Sequence, residues 1–142
     1  MLDNLASLLR EMGDLSRAET YARRGYEDWR KLRGEEDVDT AVSLAVLGAL
    51  ETSKGRYEEA RTHLEQSLRI TEKLRGQEHP EVGGVLNLLA RLEVKTGHPA
   101  AARANYERSL AISRPRLDAG HSQIQDALEG LRALEAGRDG GR

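Results

Sequence analysis

Shifted by 42 residues, this chain falls onto itself. Leu2, Leu44, Leu86 and Leu128 align, as do Leu5, Leu47, Leu89 and Leu131, and again Leu8, Leu50, Leu92 and Leu134. Gly13, Gly55 and Gly97 form a further column, and Ala18, Ala60 and Ala102 another. A period of this length marks a repeat architecture. Within each copy the leucines recur at i, i+3 and i+6, which puts them on one face of a helix, helix A. The Gly column closes that helix, as a residue free to turn left-handed does at a C-terminus. A second helix, B, follows at once. Asp14 is placed to cap it in the first copy, and in the third His98 precedes Pro99, which suits the first helical position. Helix B carries the small alanines, then Ala22, Leu64 and Tyr106, then Tyr26, Leu68 and Leu110, an apolar stripe at four-residue spacing. It is expected to run to Leu32, to Leu74 and, ahead of Pro115, to Ser113 in the successive copies.

Each copy therefore reads as a helical hairpin. A single amphipathic hairpin cannot bury its own apolar stripe, whereas stacked hairpins can. The expected fold class is all-α: an α-solenoid of three hairpins and a capping helix. The expected bounds are one domain over 1–135, with repeats near 1–43, 44–85 and 86–121 and a cap helix over 122–135. The residues 136–142, ending GRDGGR, have no periodicity and are expected to be a disordered tail. The small column Ala6, Gly48, Ala90 becomes Arg132 in the last copy, a polar face where another hairpin would pack.

The phrase joining hairpins reads LRGEEDVDT at 32–40 and LRGQEHPEV at 74–82. His79 beside Pro80 and Glu81 suggests a reactive site, but Asp37 stands in its place one copy earlier. His79 and His121 share a register just before a helix, so both read as caps. His98 is likewise a helix-start residue, and His63 pairs on paper with Glu59 four residues earlier. No H-E-x-x-H, nucleophile elbow or phosphate loop is present. Gly83-Gly84 aligns with Ala41-Val42 at a helix start and reads as a close helix–helix contact. Tyr26 fits the core column; Tyr21 and Trp29 do not, and are free to contact a neighbour. No catalytic residue, no metal ligand and no cofactor is expected, and the chain does not read as an enzyme.

The pattern G-x4-A-x3 followed by an apolar residue, after an L-x2-[AG] helix, resembles the tetratricopeptide repeat. The 42-residue spacing resembles the kinesin-light-chain type in particular. Gly76, His79, Pro80, Val82, Leu86, Asn87, Leu89 and Ala90 follow that type's linker and helix opening. The chain departs from the family where Leu2, Leu44 and Leu86 replace an early aromatic. The resemblance implies an α-solenoid whose A helices line a concave groove, with a peptide or helix as ligand. Carried onto this sequence, the groove faces are Asn4, Ser7 and Arg10, then Ala49 and Thr52, then Asn87, Arg91 and Lys95. Asn side chains can both donate to and accept from a peptide backbone. Arg91 and Lys95, one turn apart, suit an acidic partner. The carboxylate clamp used by some relatives is missing: its positions hold Asp3, Ser7 and Val46.

Composition narrows the partners. The net charge is -2, without the basic balance that nucleic-acid binding favours. No apolar run approaches the ~18 residues of a membrane span, and no secretory signal opens the chain. There is no Cys, hence no disulfide framework, and the cytoplasm is the expected compartment. The expected function is a non-catalytic interaction module or scaffold for a protein or peptide. The alternatives are a self-assembling unit that associates through exposed solenoid ends, or a sensor segment cut from a larger bacterial regulatory protein.

Overall fold

A computed structural model describes residues 2–140, with side chains through residue 137. It contains seven helices and no strand among the described residues: α1 (Leu2–Glu11), α2 (Leu15–Arg33), α3 (Val38–Ser53), α4 (Tyr57–Arg75), α5 (Pro80–Lys95), α6 (Pro99–Ser113) and α7 (Ser122–Gly140). They fall into two compact units, residues 1–74 and 75–142.

The first unit is two hairpins, α1/α2 and α3/α4. Gly13 and Gly55 make the turn inside each hairpin at φ 84° and 79°, conformations costly for any residue with a Cβ. Asp14 caps α2 by accepting from the Arg17 N–H at 3.2 Å, and Asp37 caps α3 by accepting from the Asp39 N–H at 2.8 Å. The core joins the hairpins: Ala6, Leu9, Ala18 and Ala22 from the first meet Leu47 and Leu50 from the second, with Tyr21 half-buried against them. Tyr21 thus packs on the core, although it lies outside the apolar column. The core continues in Ala41, Leu44 and Ile70, with Tyr26 packed on it. Each fully buried leucine of this kind contributes about 1.5–3 kcal/mol. Helices α3 and α4 approach so closely that a Cβ on Gly48 would lie 2.6 Å from Leu64 Cγ.

The second unit is one hairpin, α5/α6, closed by α7. Pro80 opens α5 and Pro99 opens α6. Helix α6 stops at Ser113, so Pro115 does shorten the third helix B. The core is Ala90, Ala102, Tyr106, Leu110, Ile124 and Ala127, and the α7 leucines Leu128, Leu131 and Leu134 pack half-buried against it. Gly83 is a forced contact: its carbonyl accepts from Ser109 Oγ at 2.9 Å, and a Cβ there would lie 2.6 Å from Gln123 Nε2. Gly130 likewise leaves room for the Tyr106 ring, 2.2 Å from where its Cβ would be. Arg132 is exposed. Helix α7 extends to Gly140, beyond the end expected near residue 135, and the last two residues of the expected tail, 141 and 142, lie outside the described residues. Backbone hydrogen bonding carries the helix on where the apolar pattern has stopped.

Candidate functional site

The four histidines do structural work. His79 Nδ1 accepts from the Glu81 N–H and His121 Nδ1 from the Gln123 N–H, each at 3.1 Å, so both cap the helix that follows. His98 precedes α6 without capping it; its Nδ1 lies 2.9 Å from Thr96 Oγ1. His63 departs from expectation. It does not simply pair with Glu59 on the surface, but meets Glu51 Oε1 at 2.6 Å. Glu51 is 1% exposed, and its other oxygen has no partner. Periodicity could not find this pair, because Glu51 occupies a position on α3 where Leu9 stands one copy earlier. Among the described residues no group of three or more acidic, His or Cys side chains is placed to hold a metal ion. No described helix is long and apolar enough to cross a membrane.

The A-helix face of the first unit is polar and mixed. Asn4 is exposed, Ser7, Arg10 and Ala49 are half-buried, and Thr52 is buried with its hydroxyl donating to the Gly48 carbonyl at 2.9 Å. Asp3, at the start of α1, accepts from Ser43 Oγ at 2.7 Å and keeps a second, buried oxygen without a partner. The turn into α4 carries a cation cluster that the repeat pattern did not announce. Glu19 on α2 accepts from Lys54, from Arg56 at 2.7 Å and from Arg23 at 3.1 Å. Hydrogen bonds from Lys54 first, then Arg56 and Arg23, hold its carboxyl down at about 2, against an ordinary value of 4.5. Trp29 is half-buried and lines a shallow apolar cleft with Leu2, Gly25, Asp28 and Leu32.

In the second unit Asn87, Arg91 and Lys95 follow one another by a turn along α5, yet their settings differ. Asn87 is 4% exposed. Its Nδ2 donates to the Gln123 carbonyl of α7 at 2.9 Å, and its Oδ1 has no donor. Arg91 is half-exposed and pairs with Asp126 of α7 at 3.2 Å. It also hydrogen-bonds Tyr106, whose hydroxyl pKa is raised, chiefly by burial. Lys95 is exposed. The result is two polar rungs between α5 and α7, Asn87–Gln123 and Arg91–Asp126. They line a cleft of about 190 Å3 together with Leu88 and Ser122. Gln123 is held from the other side, donating through Nε2 to the Pro80 carbonyl at 2.8 Å and to Ser113 Oγ at 2.7 Å. An ion pair as exposed as Arg91–Asp126 contributes only about 0–1 kcal/mol, so exchanging its partner is cheap.

Antiparallel helix pairs on a 42-residue period, closed by small-residue contacts, define a helical-repeat protein. The chain belongs to the tetratricopeptide-repeat family, whose profile matches residues 1–73 and 46–114. Among solved structures, the crystal structure of BtubC (BKLC) from P. vanneervenii superposes with a TM-score of 0.73 at 18% identity, over 98% of this chain and 62% of that one. This chain thus spans less than two thirds of that protein, and at this identity the likeness is one of fold: the all-α, kinesin-light-chain-like tetratricopeptide solenoid. No curated protein matches the chain. Repeats of this family generally mediate protein–protein contacts and are typically non-catalytic.

Proposed function

We propose that the chain is a non-catalytic interaction module that takes a peptide or helix of a partner protein along its A-helix faces. The observation that carries this reading is the α5 face. There Arg91 and Lys95 stand one turn apart, one half-exposed and the other exposed, beside a cleft that Asn87 and Arg91 line. Two cations at that spacing favour an acidic segment. Asn4, Ser7, Arg10, Ala49 and Thr52 are the corresponding face of the first unit. A random-peptide display selection against the whole chain tests the reading. Selected peptides should be acidic, and Arg91→Glu with Lys95→Glu should weaken them at least about tenfold, a loss of about 1.4 kcal/mol, with helicity unchanged. Affinity that survives both substitutions would remove α5 from the binding surface.

A second reading is self-assembly, and a specific observation favours it: Leu8 on α1 and Met12 in the turn after it are 53% and 71% exposed. Under it, sedimentation should show a dimer that Leu8→Glu dissolves. A monomer at every concentration would dismiss it.

A further inference from the structure

We propose that the cleft between α1 and α2 takes an arginine side chain of a partner protein, stacked on Trp29 with its guanidinium on Asp28. This goes beyond the interaction reading above, uses none of the face residues named there, and can fail without it.

Three positions of the first B helix depart from their register. The second and third B helices carry Ser67, Ile70 and Thr71, and Ser109, Ile112 and Ser113, at these positions. All six are buried. Both serines donate to a carbonyl of their own A helix, Ser67 Oγ to Ala41 at 2.7 Å and Ser109 Oγ to Gly83 at 2.9 Å. The first B helix has Gly25, Asp28 and Trp29 instead. Asp28 is exposed and Trp29 is half-buried. Exposure by itself accounts for a charged residue there, but not for a tryptophan, the side chain with the largest apolar surface to leave in water.

These three residues, with Leu2 and Leu32, line a cleft of about 190 Å3. Against the ~30 Å3 share of one water, it has room for the end of a long side chain. Leu2, Trp29 and Leu32 make it apolar, and the charge around it is negative. Asp28 stands at its edge with a side chain 60% exposed. Asp3 stands behind Gly25: its Oδ1 would lie 2.8 Å from a Cβ on that glycine and has no donor among the described residues. Asp3 thus adds negative charge behind the wall without having to touch the ligand. An indole face beside carboxylates favours a cation. Of the two cationic side chains, a guanidinium is the more weakly hydrated, lies flat on an aromatic ring, and meets a carboxylate with two parallel N–H donors. Its aliphatic stem suits the leucine walls. The chain's own Arg24 holds Asp28 loosely, at 3.9 Å with both side chains well exposed, and such a pair is readily exchanged.

Trp29 is the chain's one tryptophan, so its fluorescence reports on the cleft directly. The probe is N-acetyl-L-arginine N-methylamide, titrated into the whole chain at constant ionic strength. Trp29 emission should change and saturate. The lysine analogue should bind several-fold more weakly. The citrulline analogue, which keeps the shape of arginine without its charge, should give no saturable response. Asp28→Asn, at an exposed position, should weaken arginine binding several-fold with helicity unchanged, and Asp3→Asn should weaken it by less. A change that rises linearly without saturating would overturn the site. So would equal affinity for the lysine or citrulline analogue, or binding that Asp28→Asn leaves unaltered. The A-helix reading is judged separately, by the displayed peptides.

Discussion

Leu8 and Leu50 are the same residue at the same register of the same helix type, one copy apart. Leu50 is 1% exposed and Leu8 is 53% exposed. The difference comes from what stands on the N-terminal side. In the first unit α3 packs on both α1 and α2, and Leu50 sits among Ala6, Leu9, Ala18 and Ala22 of that hairpin. No described element gives Leu8 the same cover. A repeat motif thus encodes half of an interface, and the neighbouring copy supplies the other half. The B helices of the first unit differ at one register as well. Ile70 is fully buried, while the residue one copy earlier in its register, Asp28, is exposed and charged.

The strongest way to break this comparison is Leu50→Ala. Truncating a leucine with this burial should destabilise the protein by about 3–5 kcal/mol, seen as a lower urea midpoint. A loss below about 1 kcal/mol would mean that α3 does not depend on the first hairpin for its packing.

Next in size is Gly48→Ala. The added Cβ would meet Leu64 at 2.6 Å and 2.8 Å. Overpacking costs about 1–3 kcal/mol, against about 1 kcal/mol of helix propensity gained over glycine. The first hairpin holds Ala6 opposite the small Ala22, so the same column tolerates a methyl there. Gly48→Ala combined with Leu64→Ala recreates that pair. The double mutant should be less destabilised than the sum of the singles, with a coupling of at least about 0.5 kcal/mol. Additive losses would show that the two positions are not the touching pair.

These contrasts also mark what was legible in the sequence. The seven helices, their glycine turns, the caps at Asp37, His79 and His121 and the leucine core all follow from period and pattern, because each repeats and so is seen more than once; the Asp14 cap reads from its place just before α2. The polar contacts that shape the candidate site do not repeat. Gln123 aligns with Glu81 and Asp39, first-turn acids, and nothing in that register says that its side chain turns inward to Pro80 and Ser113. The sequence places Asn87 on a groove face, yet its partner lies on α7, 36 residues away. Glu51 and His63 were separated in the same way. Apolar periodicity says which face is buried; it does not say which polar residue is buried with it.

The Glu19 cluster sharpens the comparison from the electrostatic side. In register, Glu19, Lys54 and Arg56 become Arg61, Thr96 and His98 one copy later, so the tie is particular to the first pair of hairpins. The Glu19 carboxyl sits at about 2 when folded and near 4.5 when free. A depressed acid stabilises the folded state fully above its unfolded value and loses that contribution as pH falls through the folded one. The protein should therefore lose melting temperature between pH 4.5 and pH 2, and Glu19→Gln should flatten that part of the profile while lowering stability at pH 7. An unchanged slope would mean that other carboxylates carry the acid sensitivity.

The smallest effect expected is at Leu8 itself. Because the residue is more than half exposed, Leu8→Ala should change stability by less than about 0.5 kcal/mol, well within the range of ordinary surface substitutions. It should leave the urea slope nearly unaltered, since little of the area buried on folding belongs to this side chain. The informative measurement is the contrast with Leu50→Ala under identical conditions at several protein concentrations. If Leu8→Ala destabilises as much as Leu50→Ala, and more so at high concentration, the Leu8 face is covered in solution by another molecule. The asymmetry between the two leucines would then belong to the isolated chain alone.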